Sequence, residues 1–187
     1  LNEKKKIAYG EAYSYLRTAG AINSKIVELI KKDFNYEKAE HIASTIESFT
    51  AAKGSNPKVA LKRAFCKHGH FTLNDFIPAK QYFRIAGRHG EEKEFLKILI
   101  DKFGQGYDYV SFDPLSDQVP DVMIAGDVSY VCTSDSASEF DAQECLNKTI
   151  SFEELFELEK MQDVLLSTAK KHLAEAAILH YELEDIY

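Results

Sequence analysis

The chain has 187 residues, of which 45 % are apolar and 28 % charged, and its net charge is −7. That length can bury a core without disulfides or metal staples, and the composition is that of a soluble globular protein. No run approaches the roughly 18 apolar residues of a membrane span.

The charge is divided unevenly. Residues 1–106 carry 19 Lys plus Arg against 12 Asp plus Glu, and residues 107–187 carry 4 against 18. The acidic half argues against nucleic acid or an anionic membrane as its partner, and the lysines of the basic half are dispersed rather than clustered. Attraction between the two halves inside one fold is the favoured reading. Leu1 is not a start methionine, so the lack of a signal peptide carries no information. Cys66, Cys132 and Cys145 form no close-spaced pair. An odd set without framework spacing predicts reduced thiols and a cytoplasmic setting.

In chain order, Lys4 to about Thr18 reads as a helix, with Gly20 as a stop or bend. Asn23 or Ser24 caps a short helix carrying Ile26, Val27, Leu29 and Ile30. Asn35 starts another, with Ala39, Ile42, Ala43, Ile46 and Phe49 on its apolar stripe and Gly54 after it. Ser55-Asn56-Pro57 predicts a helix restart that runs to about His68 on Leu61, Ala64 and Phe65, with Gly69 as its stop. Phe71 to Pro78 reads as a loop, and Pro78 opens a short helix through Tyr82, Phe83 and Ile85. Gly87 to Gly90 is a turn, and Glu91 begins a helix on Phe95, Leu96, Leu99, Ile100 and Phe103.

The character changes at Gly106. Tyr107 to Phe112, Val122 to Ile124 and Val128 to Cys132 are strand-like, and Ala125-Gly126-Asp127 makes a tight hairpin turn. Asp113 to Pro120 and Thr133 to Glu144 read as loops. The last stretch, about 151–186, reads as one long helix. Ser151 and Glu154 match a capping box, and Leu158, Met161, Leu165, Ala169, His172, Ala176, Leu179, Leu183 and Ile186 recur at helical spacing. Its end breaks the dipole rule, because Glu182, Glu184 and Asp185 sit at the negative pole while Lys4, Lys5 and Lys6 crowd the positive pole of the first helix. Opposite violations suggest that the two ends lie together.

Cys66, His68 and His70 are the densest metal-capable group, and zinc takes such ligands. Two positions apart on a helix end, however, Cys66 and His68 would point to different sides. Arg88-His89-Gly90-Glu91 resembles the histidine phosphatase signature in four letters. That family carries the motif after its first strand with a larger α/β domain behind it, so a turn between helices is the reading taken here. Gly104-Gln105-Gly106 lacks the strand, helix and lysine of a phosphate loop. Asp113, Asp117 and Asp121, and then Asp135, Glu139, Asp141 and Glu144, fit no calcium-loop spacing and read as solvated loops.

The expected fold is α+β in a single domain over 1–187. A helical part covers about 1–105, a small antiparallel sheet about 107–133, and the long helix about 151–186. The expected function is non-enzymatic: an adaptor, chaperone-like protein or assembly subunit that binds a protein partner through Leu179, Glu182, Leu183, Glu184, Asp185 and Ile186, without a cofactor. A metal-assisted enzyme around Cys66, His68 and His70 is the alternative. A nucleic-acid-associated protein using the basic half is the third reading.

Overall fold

Two long helices with small residues along their seam set the frame. In this computed structural model, which describes residues 2–47, 57–60, 62–72, 79–104 and 106–184, helix α1 spans Asn2–Asp33. The side chains of residues 47, 71, 72, 117 and 182–184 are outside the description. Ala8, Ala12 and Ala19 are buried against α4, the last helix, Phe152–Glu184, where Ala169 and Ala176 are buried in turn. Small side chains let the helix axes approach closely. The pair is antiparallel: Glu11 Oε2 lies 3.0 Å from His172 Nδ1, Tyr15 stacks on the His172 ring at 5.5 Å, and Gln162 Nε2 donates to Asn23 Oδ1 at 3.3 Å. Each helix is roughly 50 Å long. Ser151 caps α4 as its sequence predicts, its Oγ accepting from the Glu154 amide at 3.3 Å.

The break expected at Gly20 is not there, and α1 runs on through Ile22, Ile26 and Ile30, all buried. Gly20 serves a close approach instead: a Cβ on it would meet the Leu115 carbonyl oxygen at 3.3 Å. The far end of α1 is fastened by Asp33, fully buried. Its carboxylate accepts from the amides of Lys148 at 3.0 Å and Thr149 at 2.7 Å and from the Thr149 hydroxyl. This knot fixes where the chain turns into α4. Helix α2, Tyr36–Glu47, starts where Asn35 Oδ1 accepts from the Lys38 amide at 3.0 Å, and packs on α3 with Ala39 and Ala43 buried. Phe49, Gly54, Ser55 and Asn56 lie outside the described residues.

The helix expected over 57–68 is replaced by strands: β1 (Lys58–Val59), β2 (Arg63–Cys66) and β3 (Gly69–Thr72). β2 and β3 form an antiparallel hairpin closed by Lys67-His68, with Gly69 at φ +92°. A positive-φ glycine serves a helix stop and a hairpin equally well, which is how the sequence misleads here. The helix expected after Pro78 is strand β4 (Gln81–Ala86). Ile85 and Ala86 are buried, Phe83 is half-buried, and Tyr82 and Arg84 are exposed. Helix α3 spans Glu91–Phe103, and then β5 (Tyr109–Asp113), β6 (Ser116–Ala125) and β7 (Val128–Thr133) form the expected antiparallel meander. The stretch to Pro120 is strand rather than loop. Pro120 pairs with Phe112 at a register shift, the position in a sheet where proline is tolerated. After β7 come β8 (Phe140–Asp141) and one 3₁₀ turn, Ala142–Cys145.

The chain is α+β. Its sheet is larger than the meander, with order β1-β5-β6-β7-β4-β8: β1 runs parallel to β5, and β4 runs parallel to both β7 and β8. α3 covers one face with Phe95, Leu96 and Leu99, against Met123, Tyr130 and Ile85, and the second half of α1 and Leu155 of α4 close this core.

Candidate functional site

The parallel pair β4 and β7 puts two carboxyl ends side by side, and the chain leaves β4 there. The Gly87 amide donates to the Thr133 carbonyl at 3.0 Å, Gly90 adopts φ +112°, and α3 begins at Glu91. In open sheets, ligands collect in the crevice beyond such carboxyl ends. A helix N-terminus adds free amides and a positive dipole end.

Those amides are engaged from within. The Glu91 carboxylate accepts from the amides of Arg88 and His89, both at 2.9 Å, and the Glu92 carboxyl accepts from the Gly90 amide at 3.1 Å. Glu91 is fully buried and Glu92 is 8 % exposed. Gly87 makes room for this arrangement, since a Cβ there would lie 2.1 Å from Glu92 Oε2 and 2.8 Å from its Cβ. Burial, reinforced by neighbouring Glu91, pushes the Glu92 carboxyl up to about 7, despite nearby Lys93.

A second layer of charge lies beneath. Lys93 forms an ion pair with Asp113, whose other oxygen accepts from the Leu115 amide at 2.8 Å. Burial acts to raise Asp113, but Lys93 outweighs it and holds the carboxyl below its ordinary value. Lys93 is raised in return, Asp113 overcoming the burial that acts to lower it. Arg63, from β2, reaches Asp121 Oδ2 at 3.2 Å. Asp121 is 1 % exposed, and its Oδ1 has no hydrogen-bond partner among the described residues. Burial outweighs Arg63 and raises this carboxyl. Met123 pairs with Tyr130, so strand alternation sets Asp121 and Cys132 on one face, under the start of α3. Burial also pushes the Cys132 thiol well up, so it is a neutral thiol and not a nucleophilic thiolate. The turn is tied to α4 by His89 Nδ1, 2.6 Å from Glu159 Oε1, and by the His89 ring, 6.0 Å from that of Phe152.

The metal-capable trio falls on the β2–β3 hairpin. Phe65 pairs with His70 and Cys66 with Gly69, so Cys66 and His70 project to opposite faces, and His68 sits in the exposed turn. Among the described residues no three His, Cys, Asp or Glu side chains converge as metal ligands. The Arg88-His89-Gly90 turn lies between a strand and a helix, not between two helices. Of the acidic stretch, Glu139 is paired with Arg84 at 2.9 Å and Asp141 caps the 3₁₀ turn. Glu91, Glu92 and Lys93, with Arg63 and Asp121, form the cluster that sequence reasoning passed over. The available signal was the alternation Tyr82, Phe83, Arg84, Ile85 running into Gly87, Gly90 and a lysine three residues later.

The second candidate surface is the outside of α4. Leu155, Ala169 and Ala176 face inward, yet Phe152, Phe156, Val164 and Ile178 are all more than half exposed. At 100° per residue these four share a flank of roughly 120°, distinct from the stripe packed on α1. Residues 152–163 carry Glu153, Glu154, Glu157, Glu159 and Asp163 against the single cation Lys160, whereas Lys170 and Lys171 lie on the flank between Val164 and Ile178. Of the six residues expected to meet a partner, Leu179 is half-buried. The side chains of Glu182, Leu183 and Glu184, and residues Asp185 and Ile186, lie outside the described residues. The antiparallel register does bring Lys4, Lys5 and Lys6 to the same end of the helix pair as the end of α4. Among the described residues no helix is long and apolar enough to cross a membrane. No family model, no curated protein and no solved structure matches the chain.

Proposed function

We propose that this chain is a non-enzymatic interaction protein, an adaptor or assembly subunit, whose docking element is the outer flank of α4. The observation that carries this reading is the second apolar stripe, Phe152, Phe156, Val164 and Ile178, on a helix whose inner stripe is already used by α1. A helix of an ordinary two-layer domain needs one apolar face, and the other is polar. The occupant that fits is a basic amphipathic helix of a protein partner. It would lay its apolar residues along the stripe and its Lys and Arg against Glu153, Glu157 and Asp163. The acidic stretch of the flank, residues 152–163, disfavours nucleic acid there. The three unpaired cysteines support a reducing, cytoplasmic location. The hairpin geometry lends no support to metal chemistry at Cys66, His68 and His70.

Site-specific photo-crosslinking in cells tests the proposal. A crosslinking residue at Phe156 or Val164 is expected to give a discrete adduct whose mapped peptide is a Lys/Arg-rich amphipathic helix. Val164→Glu, placed together with the probe at Phe156, is expected to remove that adduct while leaving thermal unfolding unchanged. No adduct at either position, an acidic or unstructured partner peptide, or an adduct to a second copy of this chain would each contradict it.

A further inference from the structure

We infer that the groove between α1 and the β2–β3 hairpin is a binding site for a fatty carboxylate, with Arg17 and Arg63 on the side of its head and apolar walls for its tail. Two adjoining cavities make this groove. The larger, about 730 Å³, is lined by Tyr13, Leu16 and Arg17 of α1, by Arg63 and Phe65 of β2, and by Leu115. The smaller, about 270 Å³, shares Tyr13, Leu16 and Phe65 with it and continues past Cys66 to Leu173 and Ala177 of α4. Arg17 and Arg63 line only the larger cavity, and Leu173 and Ala177 only the smaller, so charge stands on one side and hydrocarbon on the other. Lys67, the cation of the smaller cavity, lies over the Tyr181 ring at 5.3 Å. Together the two have the size and the mostly apolar walls of a small-ligand cleft, with a few polar groups to orient the occupant.

Three features of the walls point to an anion with an apolar tail. The first is charge. Among the described residues no carboxylate lines either cavity, Arg17 has no acidic partner, and Arg63 meets Asp121 through Nη1 alone, at 3.2 Å. Free guanidinium N–H groups on such a wall match the two oxygens of a carboxylate head. The second is Gly10. It stands inside α1, where glycine is less favourable than alanine, yet a Cβ on it would meet nothing within 4 Å. The fold does not need the glycine; the space it leaves belongs to the larger cavity, which it lines. The third is Tyr13, which borders both cavities and is more than half exposed, its ring against that of Tyr9 at 6.4 Å. A peptide is the poorer occupant, because a buried backbone needs a partner for every amide and the shared wall of Tyr13, Leu16 and Phe65 presents one hydroxyl. A hydrocarbon chain has no such need. This inference is independent of the docking face on α4.

Isothermal titration of the full chain with sodium decanoate, below its micelle concentration and at pH 8, tests it. Saturable binding is expected, with affinity rising about fourfold per added CH₂ from octanoate to dodecanoate. Decyltrimethylammonium, which has the same tail and a cationic head, is expected to bind at least about tenfold more weakly. Gly10→Leu fills the cavity from the helix side and is expected to abolish the saturable heat without lowering the unfolding midpoint. Arg17→Gln is expected to weaken decanoate by about tenfold. Alkylation of Cys66 by iodoacetamide, followed by peptide mass, gives a second readout on the unaltered protein, and saturating decanoate is expected to slow it severalfold. No saturable heat, equal affinity for the cationic amphiphile, decanoate binding that survives Gly10→Leu in a folded protein or is unmoved by Arg17→Gln, or Cys66 alkylation at an unchanged rate would each overturn the inference. If Gly10→Leu does not fold, the Cys66 rate decides.

Discussion

Replacing Glu92 with glutamine keeps the side-chain shape and the acceptor for the Gly90 amide while removing a group that can ionise inside the protein. Burial moves this carboxyl from an ordinary 4.5 to about 7. Between those values the folded chain holds a proton that the unfolded chain has lost, so stability falls as pH rises through that window. Each unit is worth about 1.4 kcal/mol, so the full swing is about 3 kcal/mol. The groups that face Glu92, namely Glu91 and Lys93 on α3 and Cys132 on β7, remain in place in the variant. Urea unfolding of both proteins at pH 5, 6.5 and 8 reads the difference. At pH 5 the two midpoints are expected to be close. By pH 8 the glutamine protein is expected to be more stable by about 3 kcal/mol, with a flatter pH profile. Parallel profiles, or a glutamine variant less stable at pH 8, would refute the claim that a buried acid is forced into this turn.

Two further substitutions probe the packing that positions the turn. Gly87→Ala drives a methyl group into Glu92 and is expected to lower stability by about 2 kcal/mol. Glu92→Ala in the same chain should recover most of that, and a double-mutant cycle with no coupling would contradict the contact. Asp33→Ala leaves the Lys148 and Thr149 amides and the Thr149 hydroxyl without their acceptor. It is expected to cost about 3 kcal/mol in equilibrium unfolding, and a loss under 1 kcal/mol, roughly one ordinary hydrogen bond, would show that water replaces the knot.

The parts of this fold legible in the sequence are those with long, unambiguous periodicity. The final helix announces itself over 33 residues and a capping serine, and α3 over Phe95, Leu96 and Leu99. The hairpin turn at Gly126 is equally plain. What failed were short runs in which two structures share one signal. Leu61, Ala64 and Phe65 fit a helical stripe, but Arg63–Cys66 is a strand, and only long-range pairing decides such a run. Gly20 is a strong local stop, overruled because the backbone at Leu115 needs the space its missing side chain leaves. The charged cluster was illegible for a different reason. Arg63, Glu92, Lys93, Asp113 and Asp121 come from four separate elements, and spacing in the chain says nothing of their meeting. The outer stripe of α4 was present in the sequence, but it becomes legible only once α1 is seen to cover one side of the helix.

The crosslink at Phe156, compared with and without Val164→Glu, decides whether the outer flank of α4 docks a partner. One adduct to a basic amphipathic helix is expected, lost in the Val164→Glu protein while its unfolding midpoint stays where it was. An adduct that persists unchanged beside a glutamate at 164 would mean that the outer flank of α4 is not the docking element.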